Sequence, residues 1–267
     1  MISQIILLGT LLAGSITDLK KREVPDLLNY SLIVMALLVA SITSLYYGSF
    51  LPLKTTLLGM FIALVFGNIL FYSGQWGGGD AKMIIGAGGF IGVGTHEVLS
   101  LNVFYYFLLY SFIIAAITGM AWMILMSIKN KEAFLKEYEK IKKSRNNFLF
   151  KIAYLPLVVI TLLLMYFNPV KSVNPLIFLL LVLIGFAYYL SVFIKATEEV
   201  AFKKLIPVNE LTEGDWILSE HGIEIDNTGI TFEQIDILKK KGVKKVLVKE
   251  GIPFVPSFFL AYLVLLI

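Results

Sequence analysis

Two carboxylates stand where charged side chains are rare. Asp18 closes the first apolar run of the chain, and Asp80 opens a later one, directly after Gly77-Gly78-Gly79. Charge near bilayer depth is costly, so acids at the ends of apolar segments need a reason. Glycines lack a Cβ atom, and a run of them permits positive φ and close backbone approach. Such a loop can bring Asp80 within hydrogen-bond reach of Asp18, although the two lie 62 positions apart. Two carboxylates that close share one proton. The ionised member can take a proton from water while the protonated one polarises a peptide carbonyl, which amounts to peptide hydrolysis without a metal or a covalent intermediate. Each residue also has a plainer reading. An acid at a membrane boundary serves as an interfacial residue, a topology anchor or a helix N-cap. Glycines before a membrane helix serve tight packing.

The elements that must position these acids are membrane helices. Of 267 residues, 58% are hydrophobic and 16% charged, and the apolar residues come in long runs rather than the scattered pattern of a single soluble core. The hydropathy pattern predicts spans at 2–17, 27–47, 53–73, 81–95, 101–127, 152–167, 175–194 and 252–267. Those at 2–17, 81–95, 152–167 and 252–267 are short for a full crossing, so the expected count is about eight, with a range of six to eight. The run Ile5–Ile16 has no basic region ahead of it, and Lys20, Lys21 and Arg22 follow it. That order reads as a retained first span, not a secretory signal. Basic clusters at Lys20–Arg22, Lys129–Lys151 and Lys195–Lys249 all fall on one side when the spans alternate, and the loops of the other side hold only Lys54 and Lys171. The positive-inside rule makes the first side the cytoplasm and puts both acids at that face.

The fold class expected is therefore an all-α polytopic membrane protein with a small cytoplasmic α+β module near the C-terminus. The divisions are a membrane core carrying both acids at 1–127, a cytoplasmic linker helix at 128–151, transmembrane helices at 152–197, the soluble module at 198–250 and a membrane helix at 251–267. Within the module, Gly214–Leu218 and Val243–Val248 read as strands. Thr231-Phe232-Glu233-Gln234 is a capping box for a helix through Lys241, ended by Gly242. The absence of cysteine excludes disulfides, a cysteine nucleophile, thiolate zinc sites and iron–sulfur clusters. With two histidines, no metal site or other cofactor is expected, and no nucleic-acid partner. His96 and Glu97 read as an outer surface pair. Asp215, Glu224 and Asp226 match no ligand spacing and read as turn and surface residues. Tyr72, Trp76 and Trp122 fit interfacial aromatic belts.

The string Gly77-Gly78-Gly79-Asp80-Ala81-Lys82 resembles the Gly-x-Gly-Asp signature of membrane aspartyl proteases, in the form that ends in a Lys two residues on. Asp18-Leu19-Lys20-Lys21-Arg22-Glu23-Val24-Pro25-Asp26 is similar to the companion stretch of the type IV prepilin peptidase and archaeal preflagellin peptidase family, where an Asp ends the first span and an Arg and a Pro follow. Gly251-Ile252-Pro253-Phe254-Val255-Pro256-Ser257 resembles the Pro-Phe-x-Pro stretch that opens that family's last helix. The resemblance covers the first four spans and the last, whereas 127–202 matches by hydropathy alone.

The resemblance implies an enzyme that cuts the leader from prepilin-like or preflagellin precursors at the cytoplasmic face, after a Gly and between a basic leader and an apolar helix. It implies Asp18 and Asp80 as the catalytic pair and Gly77 and Gly79 as the supporting loop. Lys82 either tunes Asp80 or anchors its helix by snorkelling. Asp26 holds a position often occupied by Asn, which implies a turn. The family's bifunctional bacterial form carries a cysteine-rich insert between the first two spans. Here that loop is about nine residues and the chain has no cysteine, so the resemblance implies a peptidase without N-methylation, nearest the archaeal members. Two other classes remain: a transporter using the same acids for protons or ions, whose sites favour the bilayer midplane, and an assembly scaffold docking through the soluble module.

Overall fold

A computed structural model describes residues 2–92, 99–167, 170–218, 229–249 and 251–267. Ten helices and three strands follow in the order α1 (Ile2–Lys21), α2 (Asp26–Tyr47), α3 (Leu51–Tyr72), α4 (Gly78–Ile91), α5 (Leu99–Lys129), α6 (Lys131–Lys142), α7 (Arg145–Phe167), α8 (Asn174–Thr197), β1 (Lys203–Pro207), β2 (Trp216–Ile217), α9 (Phe232–Lys240), β3 (Lys245–Lys249) and α10 (Val255–Leu266). Among the described residues, six helices are long and apolar enough to cross a membrane: α1, α2, α3, α5, α7 and α8. The expected spans at 81–95 and 252–267 are the shorter helices α4 and α10, of 14 and 12 residues. At 1.5 Å per residue they reach about 21 and 18 Å, short of a hydrocarbon core of about 30 Å. Among the described residues the chain is thus mostly helical, with six candidate spans, the low end of the expected six to eight, and a small three-stranded sheet.

The chain forms two compact units, 1–121 with 204–267, and 122–203. In the first, helix ends follow local chemistry. Lys20 and Lys21 occupy the last turn of α1, where cations suit the free carbonyls. Arg22 then turns left-handed (φ 60°), and its N–H returns to the Asp18 carbonyl at 2.9 Å. Pro25 precedes α2 in extended conformation and Asp26 opens it.

Helices α3 and α4 pack through absent side chains. A Cβ on Gly59 would lie 2.2 Å from the Gly88 carbonyl oxygen, and one on Gly88 would lie 2.6 Å from the Ala63 Cβ. Lipid tails are as apolar as leucine, so such backbone approach, rather than water exclusion, is what holds membrane helices together. Around α4 the core closes with Leu7 and Leu11 of α1, Leu32 of α2, Phe107 of α5, and Val255, Phe258 and Ala261 of α10. Trp76, expected at the interface, is instead 3% exposed. Its ring lies 5.0 Å from Phe254, 5.4 Å from Phe258 and 5.9 Å from Phe112, an aromatic cluster that repays burial of the indole. Tyr72 is 65% exposed, as an interfacial ring would be.

The small module orders its strands β1-β3-β2, with β2 and β3 antiparallel and Trp216 opposite Lys249. Its core is Val208, Ile217, Ile230, Ile235, Leu238, Val246 and Val248. Thr231 and Gln234 cap α9 reciprocally, at 2.9 and 3.3 Å. Strand β1 was absent from the sequence expectation. The module touches the α1–α2 turn directly, the Thr212 hydroxyl donating to Glu23 at 2.7 Å.

In the second unit the expected linker helix is shorter. Helix α6 ends at Lys142, and α7 starts at Arg145, within the stretch assigned to the linker. Phe134 of α6 packs edge-on against Phe193 of α8 at 5.5 Å. Phe150 of α7 stacks on Tyr188 of α8 at 4.2 Å, and the Tyr154 hydroxyl donates to the Leu181 carbonyl at 2.9 Å.

Candidate active site

Asp18 lies in the last turn of α1 and is 6% exposed. Its Oδ2 accepts the backbone N–H of Val255, the first residue of α10, at 3.0 Å. The first turn of a helix has N–H groups without intrahelical partners, and Asp18 satisfies one of them from a distant part of the chain. Pro256 follows at a position where a missing N–H costs nothing, so α10 opens here without losing a ladder bond.

Asp80 lies in the first turn of α4 and is half-buried. Its Oδ2 accepts the N–H of Gly77 at 3.2 Å, closing the helix entry as an acidic residue three positions in commonly does. Gly77 is extended (φ −73°, ψ 160°), and neither it nor Gly78 or Gly79 has positive φ. The glycines therefore serve close approach rather than left-handed backbone. A Cβ on Gly79 would lie 3.2 Å from the Val24 Cβ, whereas one on Gly78 meets only a Phe71 ring carbon at 3.7 Å. The contact of Gly79 with Val24 sets the start of α4 against the segment that follows Asp18.

One turn further in, α1, α2, α4 and α10 meet. A Cβ placed on Gly14 would lie 2.7 Å from the Met83 methyl, 3.2 Å from a Val255 methyl and 3.5 Å from a Leu28 methyl. This apolar layer lies one turn below Asp18, whose partners, like those of Asp80, come from helix ends. Such a pair of acids, one buried and one half-buried, can share a proton and activate a single water.

Lys82 does not reach Asp80. Its ammonium donates to Asp26 at 2.6 Å and lies 5.3 Å from the centre of the Tyr30 ring. Asp26, read from the sequence as a turn residue, is the first residue of α2 and the partner of that lysine. Two features had no signal in the sequence reading: the Val255 N–H as a ligand of Asp18, and the Asp26–Lys82 pair. Asp215 accepts the Thr212 N–H at 2.8 Å and closes a turn in the module. His96, Glu97, Glu224 and Asp226 lie outside the described residues.

Residues 5–124, which contain Asp18, Asp80 and the three glycines, match the model of the type IV leader peptidase family. The matched stretch is a little under half of the chain, and over it the chain is similar to that family. It is also distantly homologous to archaeal preflagellin peptidases. It is 35% identical over 85 residues to a preflagellin peptidase of Methanococcus voltae, covering 32% of this chain and 36% of that protein. It is 34% identical over 91 residues to one of Methanococcus maripaludis, covering 34% of this chain and 39% of that protein. The chain thus spans little more than a third of the length of the curated relatives it matches. No solved structure matches it.

Proposed function

We propose that this protein is a membrane aspartic endopeptidase that removes the short leader from prepilin-like or preflagellin precursors at the cytoplasmic face. The observation that carries this reading is that Asp18, in the last turn of α1, accepts the first N–H of α10, while the loop that opens α4 at Asp80 packs through Gly79 on Val24, in the segment that follows Asp18. The family match supports the reaction class, and the preflagellin peptidase relatives support the substrate class. The basic cluster Lys20–Arg22 beside the site supports the cytoplasmic face. The turn between α1 and α2 holds only residues 22–25, and the chain has no cysteine, which supports a peptidase without N-methylation.

In this mechanism the dyad holds one proton. The ionised carboxylate accepts a proton from water as the oxygen attacks the scissile carbonyl, while the protonated one donates to the carbonyl oxygen. The tetrahedral intermediate collapses as a proton passes to the departing amine, and the leader leaves with a new carboxyl terminus. Lys82 and Gly79 act on geometry and not on the proton. The test is incubation of the purified protein, in detergent or nanodiscs, with precursors carrying a basic leader and an apolar helix. Mass spectrometry should find one cut at their junction. Intact precursors across the candidate set, with the protein folded, would reject the proposal and leave the transporter and scaffold classes standing.

A further inference from the structure

The entry to α4 is packed on its α3 side, where a Cβ on Gly67 would lie 3.1 Å from the Ala81 carbonyl oxygen, but the turn of Asp80 itself has few ties of its own. Asp80 follows three glycines, whose lack of side chains leaves the chain free to tilt, and its own bond to Gly77 lies within the same turn. What fixes that turn must come from outside it. The segment from Asp18 to Asp26 touches it twice, through Val24 against Gly79 and through Asp26 to Lys82. These contacts flank Asp80 on either side in sequence.

On the peptidase reading above, we propose that the Asp26–Lys82 ion pair is a positioning device that sets the register of Asp80 against Asp18. Helical residues two apart point about 200° from one another, so Lys82 faces away from Asp80 and acts through the helix rather than on the carboxyl. Asp26 is a stiff anchor because Pro25 before it has a fixed φ and α2 begins at Asp26 itself. The Lys82 ammonium also rests on the ring of Tyr30, one helical turn beyond Asp26, so both ties run to the same face of α2. The Lys82 and Asp26 side chains are 34% and 62% exposed, so solvent screens the pair and its role is to fix geometry rather than to add much stability. A carboxylate held at 2.6 Å by an ammonium is engaged, and Asp26 is accordingly no third catalytic acid.

The chain has no cysteine, so a disulfide can report the register without substrate. Val24→Cys with Gly79→Cys puts two Cβ atoms 3.2 Å apart, a little under the usual disulfide separation of about 3.5–4.5 Å, so a small outward give suffices to form the bond. In this background Lys82→Met or Asp26→Ala should slow oxidative cross-linking several-fold, while Lys82→Arg and the charge reversal Asp26→Lys with Lys82→Asp should restore it. In the cysteine-free protein the same single variants should lower kcat by about tenfold at unchanged KM, since a misplacement well under 1 Å is enough, and the reversal should recover most of it. Cross-linking at the parent rate in both single variants would overturn the proposal. So would a charge reversal no better than either single change. Failure of the parent to cleave any precursor would instead count against the peptidase reading, and the cross-linking result would still decide the register.

Discussion

Helices α4 and α7 are both apolar, yet they are built on opposite plans. Helix α4 is 14 residues long, and Ala81, Met83, Ile84, Gly86, Ala87, Gly88 and Gly89 are all buried. Helix α7 is 23 residues long and, among the described residues, buries no apolar side chain. Leu155, Leu163 and Leu164 on α7 are each more than half exposed. A span whose neighbours are lipid needs length and large side chains, because it must satisfy its backbone and match the bilayer by itself. A helix wrapped by protein can be short and small, because neighbouring backbones replace lipid at contact distance. The helix that carries Asp80 is of the second kind, so its placement is dictated by packing, and a misplaced atom there moves a carboxylate. Changes in α4 should reach the chemistry, and changes in α7 should not.

The sharpest test of that contrast is the dyad. Asp18→Asn and Asp80→Asn should each reduce precursor cleavage by at least about a hundredfold, the scale of lost acid–base catalysis, with membrane insertion unchanged. Full activity in either variant would remove the contrast altogether. Next comes the loop. Gly79→Val pushes against Val24 and should cost on the order of a hundredfold in rate, while Gly78→Ala should cleave at the parent rate because its Cβ finds ordinary contact. Equal rates for the two would show that Gly79 does not set the position of Asp80.

A third measurement needs no substrate. Gly59→Ala drives a methyl into the Gly88 carbonyl and should destabilise the detergent-solubilised protein by about 1–3 kcal/mol, read as a lower thermal midpoint. Gly9→Ala, with open space around its Cβ, should leave the midpoint unchanged. The smallest effect is expected in the second unit. Tyr154→Phe deletes the hydroxyl bond to Leu181 and should cost about 1 kcal/mol of stability without changing cleavage. A loss of cleavage there would contradict the separation of the two plans.

Much of this was legible in the sequence because its causes are local. Long apolar runs declare spans, since a bilayer leaves no other fate for them, and the Thr231–Gln234 box announced α9 almost to the residue. Both acids stood out because a charge at the end of an apolar run is conspicuous by itself. The failures have a common physical origin in contacts between distant positions. Trp76 reads as an interfacial ring until Phe254 and Phe258 arrive from the far end of the chain to bury it. Asp26 reads as a turn until Lys82, 56 positions on, supplies its partner. The expected span at 81–95 missed Gly78 and Gly79 because hydropathy ignores residues whose contribution is the absence of a side chain. Strand β1, Lys203 to Pro207, lacks the alternation that would have marked it.

The hydrogen bond between Asp18 and Val255 also has a consequence in time. Its acceptor is synthesised 237 residues before its donor. At ribosomal speeds of about 5–20 residues per second, roughly ten to fifty seconds pass with the carboxylate made and its donor not yet in existence. During that interval α1 through α4 can enter the bilayer with both acids present and the apolar layer below Asp18 open, because Val255 forms part of it. The site is therefore closed by a helix made long after both acids, and a half-translated chain inserted beside other membrane proteins carries Asp18 and Asp80 without the donor that holds Asp18.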